Sequence, residues 1–324
     1  MTSGSNSGSN SGFRSGSKRG DESNAHWSER ELIRNLSEIF AEANSDLIVG
    51  IGDDAAVVAR PASDLVVTTD MAVQDVHFKL EWASARQIGQ KIAAANLADI
   101  YAMGGTPKYL TVAMSATGNE TLQWMLDVAR GIASEAHSQG AQVIGGDLSK
   151  AEKITISITA IGECSRPILR SGALVGDSIF ISNLPGWSAA GLLALQKNLK
   201  LGENESIERA INQHLAPKVN YEAAKEMAAK ANSLCDISDS LIIQSEQMAE
   251  SSGLSFELDG NLLSQHPEYA NLSQVAKTLN VSVTDLILSG GEDHVFLGTG
   301  ENLPGFRIGQ VIEGSGIRLL HLET

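Results

Sequence analysis

The sequence predicts an α/β (α+β) fold built from two mixed halves. Strand-length runs rich in β-branched residues, such as Leu65-Val66-Val67-Thr68-Thr69-Asp70, alternate with helix-length amphipathic runs in both halves, the pattern of helices laid against sheets. A chain of 324 residues exceeds one ordinary core. Arg166-Pro167 breaks the pattern near the middle, and a residue before proline favours extended or turn backbone. Two α/β domains are therefore expected, at 25–165 and 166–324. Residues 1–24 reiterate Ser, Gly and Asn, too little apolar surface to offset the entropy of ordering, so a disordered tail is expected there.

The first helix is expected from Ser28, which caps a face carrying Leu32, Ile33, Leu36 and Ile39, with Glu31 placed for a capping box. A short strand follows at Leu65–Asp70, its acidic residue at the strand end. Ser84 to Met103 reads as a helix, with Ser84 and Gln87 as a capping box and Gly104-Gly105 before Pro107 as its stop. Asn96 and Asp99, three apart on this apolar helix, share a face and need partners. Tyr109–Ser115 reads as a strand, Glu120–Gln139 as a helix, Gln142–Ile144 as a strand entering a glycine turn, and Lys153–Glu163 as a strand of period two. In the second half, Ser178–Ser182 reads as a strand and Pro185-Gly186 opens a helix through Leu195. Further helices are expected at 205–214, 219–231 and 239–251, with strands around Phe256, Val295-Phe296, Ile308–Val311 and Ile317–Leu320.

The formal charge of −15 argues against a nucleic-acid binder, because such proteins present a basic face to phosphates. Only Cys164 and Cys235 occur, without a CxxC pair, so no disulfide framework or zinc site is indicated, and a cytoplasmic location is expected. No apolar run reaches the length of a membrane span, so no membrane partner is expected.

Acidic residues recur in five short motifs: Gly52-Asp53-Asp54, Thr68-Thr69-Asp70, Gly145-Gly146-Asp147, Asp236-Ile237-Ser238-Asp239 and Gly290-Gly291-Glu292-Asp293. Magnesium takes hard oxygen ligands and is held by a few carboxylates together with substrate phosphates. Glycine lets backbone and ligand approach closely. An acidic chain that handles phosphates must borrow positive charge from metal ions, so the series reads as a divalent metal and phosphate site. A helix starting just after Asp239 brings its N-terminus to any phosphate held there.

In order along the chain, these motifs with Asp75-Val76-His77-Phe78, the string Asn96 to Gly105, Arg170-Ser171-Gly172-Ala173 and Pro185 to Leu192 resemble the thiamine-monophosphate kinases of the aminoimidazole-ribonucleotide-synthetase-like superfamily, over roughly residues 28 to 300. The resemblance implies direct transfer of the ATP γ-phosphoryl group to thiamine monophosphate, with several Mg²⁺ ions. It implies Asp54, Thr68, Thr69, Asp70, Asp99, Asp147, Asp236 and Asp239 as metal ligands, Gly146, Asp147, Arg170 and Ser238 as ATP contacts, and His77 and Glu292 as contacts to the acceptor phosphate. It also implies a homodimer whose N-terminal sheets pair. The alternatives are another enzyme of the superfamily, such as aminoimidazole ribonucleotide synthetase, or a non-catalytic ATP-binding module. Two departures from the family bear on them. Ser240 stands where the family reads glycine, adding a side chain expected to crowd the metal or alter helix entry. The closing stretch whose aromatic residue stacks on thiamine is not present, which leaves Trp187 or Tyr221 as candidates for that task.

Overall fold

The computed structural model describes residues 28–41, 47–49, 51, 56–59, 62–199, 202 and 204–321. The expected tail, 1–24, and the Gly52-Asp53-Asp54 motif lie outside them. The first half runs α1 (Glu29–Phe40), β1 (Leu47–Val49), β2 (Val57–Val58), β3 (Asp64–Val73), α2 (Ala85–Ala102), β4 (Thr106–Ala116), α3 (Leu122–Ser138), β5 (Gln142–Lys150) and β6 (Thr155–Cys164). The second runs β7 (Ser178–Ile181), α4 (Trp187–Gln196), α5 (Glu205–Leu215), α6 (Tyr221–Ala228), β8 (Ser233–Ile237), α7 (Leu241–Ser252), β9 (Ser255–Asp259), α8 (Gly260–Ser264), α9 (Tyr269–Leu279), α10 (Val283–Ser289), β10 (Val295–Gly300), β11 (Phe306–Ile312) and β12 (Gly316–Leu320). The mixed α/β class is therefore observed. Among the described residues no helix is long and apolar enough to cross a membrane.

The first-half strands form a four-stranded sheet in the order β3-β6-β4-β5, and those of the second a six-stranded sheet in the order β12-β9-β11-β7-β10-β8. Only β4 with β5 and β9 with β12 pair in parallel among the ladders of these two sheets. The period-two reading of β6 holds: Ile156, Ile158 and Ala160 are fully buried while Thr155, Ser157 and Thr159 face out. Truncating either isoleucine to alanine would cost about 2–5 kcal/mol, since little beside it can collapse into the space.

Helix α2 lies across this sheet and ties the halves together. Ser84 and Gln87 form the expected capping box in both directions, and Gly104 leaves the helix at φ 73°. The helix packs on β3 and β6 and also meets α6 and β8 of the second half. At its C-terminal end the Tyr101 ring lies 5.1 Å from the Tyr221 ring, whose hydroxyl donates to Glu135 at 2.7 Å. A continuous cluster of buried apolar side chains runs from Ile88 and Leu97 through Tyr221 to Phe296, so the two halves share one core.

Two expected boundaries are corrected. Strand β3 does not end at Asp70 but continues to Val73, and β5 passes straight through Gly145-Gly146-Asp147 rather than turning there. The ladders decide both. Asp70 is opposite Ile158 on β6, and Asp147 is opposite Ala113 on β4. A Cβ on Gly146 would lie 2.0 Å from the Val112 carbonyl oxygen, so this glycine answers to a close strand approach and not to a turn.

Candidate active site

The site forms where α2 meets the ends of β8 and β10. On β3, alternation divides the side chains: Thr68 and Asp70 face α2, whereas Leu65, Val67, Thr69 and Met71 are exposed on the outer face. The Thr68 hydroxyl donates to Asp99 Oδ2 at 2.7 Å. The Asp70 backbone N–H donates to Asn96 Oδ1 at 3.2 Å, and the Asn96 amide donates to the Ile92 carbonyl at 2.8 Å. Asn96 is thus satisfied within the fold, fixing α2 to β3, and Asp99 is left as the acidic group of that helix face.

Thr69 departs from the metal set expected of it. Its hydroxyl shares a 2.8 Å hydrogen bond with Thr159 on the opposite face of the sheet from Asp70.

Strand β8 carries the buried Asp236 to the same place, and His294 Nδ1 lies 3.1 Å from Asp236 Oδ2. The electrostatics show how tightly these groups are drawn together. Burial first, then the charges of Asp236 and Asp70, push the Asp99 carboxyl up to about 7 against the pull of its Thr68 hydrogen bond. Asp70 is raised as well, by burial and by Asp236. His294 is buried, which disfavours its charged form, yet the bond and charge of Asp236 outweigh that and raise its pKa.

The second-half loops are pressed against one another. A Cβ on Gly291 would meet the Asp239 carbonyl oxygen at 2.3 Å and that of Ser238 at 2.6 Å, and the Glu292 N–H donates to the Ser238 carbonyl at 2.7 Å. Glycine is required because two backbones touch. Glu292 leaves the contact at φ 60° and turns its carboxylate to Lys91 Nζ at 2.8 Å. Burial would raise its pKa, but Lys91 outweighs this and lowers it. His214 lies 3.7 Å from the same carboxylate and 3.2 Å from Ser188 Oγ. Burial, helped by Lys91, holds His214 down to about 4, so its ring is neutral at pH 7.

Asp293 points away and accepts from the Gly186 and Ser188 N–H groups at 2.6 and 2.9 Å, anchoring the start of α4. Burial nonetheless raises its carboxyl to about 6, against those two hydrogen bonds.

His77 and Glu292 line one cavity of about 330 Å³ with Phe78, Trp82, Lys91 and His214. His77 Nδ1 accepts the Val73 N–H at 3.1 Å, so a neutral ring carries its proton on Nε2. Asp239 is exposed in the turn before α7, beside the half-buried Ser238. Ser240 neither crowds that turn nor distorts the helix: it is buried, and its hydroxyl accepts the Ile243 N–H as the N-cap of α7.

The remaining expected residues do not join the Asp70–Asp99–Asp236 group. Gly146 and Asp147 are exposed on the edge strand β5, where Ser149 donates to Asp147 Oδ2 at 3.1 Å. Arg170 is half-buried and donates to Gln247 on α7. Trp187 and Tyr221 are both corrected as thiamine-stacking candidates. Trp187 is buried beneath Arg209, and Tyr221 is engaged with Tyr101 and Glu135. Neither lines the cavity of His77; Trp82 does. Lys91, His214, His294 and Trp82 are the residues that sequence reasoning missed. Only His294, next to the last acidic motif, had a local signal.

Three or more acidic, histidine or cysteine side chains that already enclose a metal do not occur among the described residues. The donor set still suits Mg²⁺. That ion takes one or two protein carboxylates and completes its shell with water and substrate phosphate, and the mutual repulsion of Asp70, Asp99 and Asp236 is what a cation between them relieves.

The AIR synthase related protein N-terminal domain family matches residues 52–164. A thiamine-monophosphate kinase of Corynebacterium glutamicum is 38% identical over 87% of this chain and 86% of its own length. The chain belongs to the thiamine-monophosphate kinase family. It is thus a phosphotransferase by family. The solved thiamine-monophosphate kinase of Stenotrophomonas maltophilia K279a is similar over 89% of this chain and 95% of its own, at 27% identity and a TM-score of 0.79. A structure of AaThiL complexed with AMPPCP and TMP is similar over 90% of this chain and 93% of its own, at 29% identity and a TM-score of 0.75.

Proposed function

We propose that the protein transfers the γ-phosphoryl group of ATP directly to the phosphate of thiamine monophosphate, giving thiamine diphosphate and ADP. The observation that carries this reading is the juxtaposition of a repelling carboxylate group, Asp70, Asp99 and Asp236, with a neighbouring cavity lined by His77, Lys91 and Glu292. Family membership and the AaThiL structure with AMPPCP and TMP support the choice of donor and acceptor.

In the transfer, an oxygen of the acceptor phosphate forms a bond to the γ-phosphorus as the bond to the β,γ-bridging oxygen breaks. Such a reaction asks the protein for position and charge neutralisation. Asp70, Asp99, Asp236 and Asp239, with the Thr68 hydroxyl, are the candidates to hold Mg²⁺; Asp54 and Asp147 stay candidates on the family resemblance alone, and Thr69, turned to the other face of the sheet, does not. When bound, the metal neutralises the facing phosphates. Gly146, Arg170 and Ser238 are assigned to the nucleotide. His77, its Nδ1 occupied by the Val73 amide, offers Nε2–H to the acceptor phosphate. Lys91 adds positive charge beside it and fixes Glu292. Ser240, as an N-cap, gives no support to a non-catalytic reading.

The exposed apolar side chains of β3, Leu65, Val67 and Met71, support a homodimer formed through that face. The two cysteines are free and buried, in keeping with a reducing cytoplasm.

Purified protein incubated with thiamine monophosphate, ATP and Mg²⁺ is expected to yield thiamine diphosphate and ADP in equal amounts on chromatography. ADP without thiamine diphosphate would refute the acceptor. Sedimentation is expected to give a dimer that Val67→Glu with Met71→Glu dissociates; a monomeric parent protein would refute the dimer.

A further inference from the structure

The cavity holding His77 and Glu292 has an aromatic wall to which nothing above gives a task. Trp82 stands half-buried on a tight turn in which its own N–H and that of Ala83 both donate to the Lys79 carbonyl at 3.1 Å. Over its ring, 4.3 Å from the centroid, lies the ammonium of Lys79. The Lys79 side chain is 41% exposed, and its carboxylate neighbour Glu81 is 4.0 Å away. A lysine with water and a carboxylate within reach that nevertheless covers an indole marks that face as a cation site, indole being the strongest aromatic partner for a positive charge.

Resting on thiamine monophosphate as the acceptor, we infer that the Trp82 indole is the platform for the thiazolium ring, and that Lys79 is a stand-in cation displaced when the substrate enters. The ring is a permanent cation without an N–H on its charged nitrogen, so hydrogen bonding cannot hold that charge. A bare carboxylate or an aromatic face remains. Both carboxylates of the cavity already have lysine partners: Asp75 with Lys153 at 3.2 Å and Glu292 with Lys91 at 2.8 Å. The indole face is covered by a partly exposed side chain whose carboxylate neighbour is 4.0 Å away. Exchanging the ammonium for the thiazolium leaves the charge over the ring unaltered and gives up only a weak exposed contact. The platform thereby favours a cationic phosphate ester over a neutral one of the same shape.

The test compares the full-length protein with its Trp82→Leu, Trp82→Phe and Lys79→Met variants in steady-state turnover of thiamine monophosphate. A neutral isostere, with the thiazolium replaced by an uncharged thiophene, serves as competitive inhibitor. Trp82→Leu is expected to raise KM for thiamine monophosphate about five- to thirty-fold, with KM for ATP moving less than about twofold, and to abolish the preference for the cationic over the neutral ring. Trp82→Phe, which keeps the packing, is expected to fall between, and decides the matter if the leucine variant does not fold. Lys79→Met is expected to lower KM. Unaltered KM and cation preference in both Trp82 variants, or a raised KM in Lys79→Met, would overturn the platform. If the parent protein makes no thiamine diphosphate, the acceptor assignment fails and the inference falls with it; turnover by the parent with indifferent Trp82 variants condemns the platform alone.

Discussion

Ser240 separates two physical accounts of the same position. If its hydroxyl obstructs the turn, then Ser240→Gly frees the site and raises turnover. As an N-cap, the hydroxyl accepts the Ile243 N–H at 3.2 Å, while the Ser240 N–H donates to Gln244 Oε1 at 3.3 Å. Two amides at the start of a twelve-residue helix are thereby satisfied. Ser240→Ala removes only the first bond. Ile243 is 42% exposed, so water partly replaces it, and the loss is expected near about 1 kcal/mol, whereas Ser240→Gly costs a few tenths. In a protein of this size about 1 kcal/mol lowers Tm by roughly 2–4 °C. Urea unfolding followed by circular dichroism would show a lower midpoint for alanine with an unchanged slope. Turnover measured alongside is expected to stay within about twofold for glycine. A several-fold gain in activity with glycine, or an alanine variant as stable as the parent, would refute the capping account.

Other expectations follow from the same geometry. Asp99→Asn should lose most turnover while gaining stability at neutral pH. The folded carboxyl, raised to about 7, binds protons that the unfolded chain releases near 4, so stability falls as pH rises across that window. Denaturation at pH 8 and pH 4 checks the sign: the asparagine advantage should be present at pH 8 and vanish at pH 4. Lys91→Met leaves the Glu292 carboxylate without its partner. Its pKa should rise, and the acid limb of the pH profile should move upward; an unmoved limb would refute the pairing as the cause. Gly146→Ala forces a Cβ against the Val112 carbonyl at 2.0 Å, and calorimetry should show a loss of about 1–3 kcal/mol. Unaltered stability would mean that β4 and β5 part without cost.

What the sequence disclosed is what local chemistry determines. Helix α2 was legible from its Ser84–Gln87 capping box, and α3 from an amphipathic period that is short-range. The ends of β3 and β5 were not, because pairing with β6 and β4 decides how far a strand continues. Helices α8, α9 and α10 escaped notice; α8 and α10 have too few turns to show a period. Within the site, the acidic motifs announced themselves one by one. The partner of Glu292 did not, since Lys91 lies 201 residues away in the chain. Asn96 shows the limit from the other side: its polarity on an apolar helix was correctly noticed, but the fold spends it on the Asp70 amide and the Ile92 carbonyl.

Among the described residues β3 is an edge strand whose one strand partner is β6, and its registration rests on ten consecutive pairings there together with the bonds of Thr68 and Asp70 to α2. A shift of one residue would turn Met71 and Thr69 inward and throw Asp70 out to solvent. Single-residue insertions or deletions between Asp64 and Val73 should therefore be far less tolerated than substitutions at the same positions. An evolving or engineered version of this chain can vary the outer surface of β3 in chemistry as far as the pairing of subunits through that face allows, but not in length.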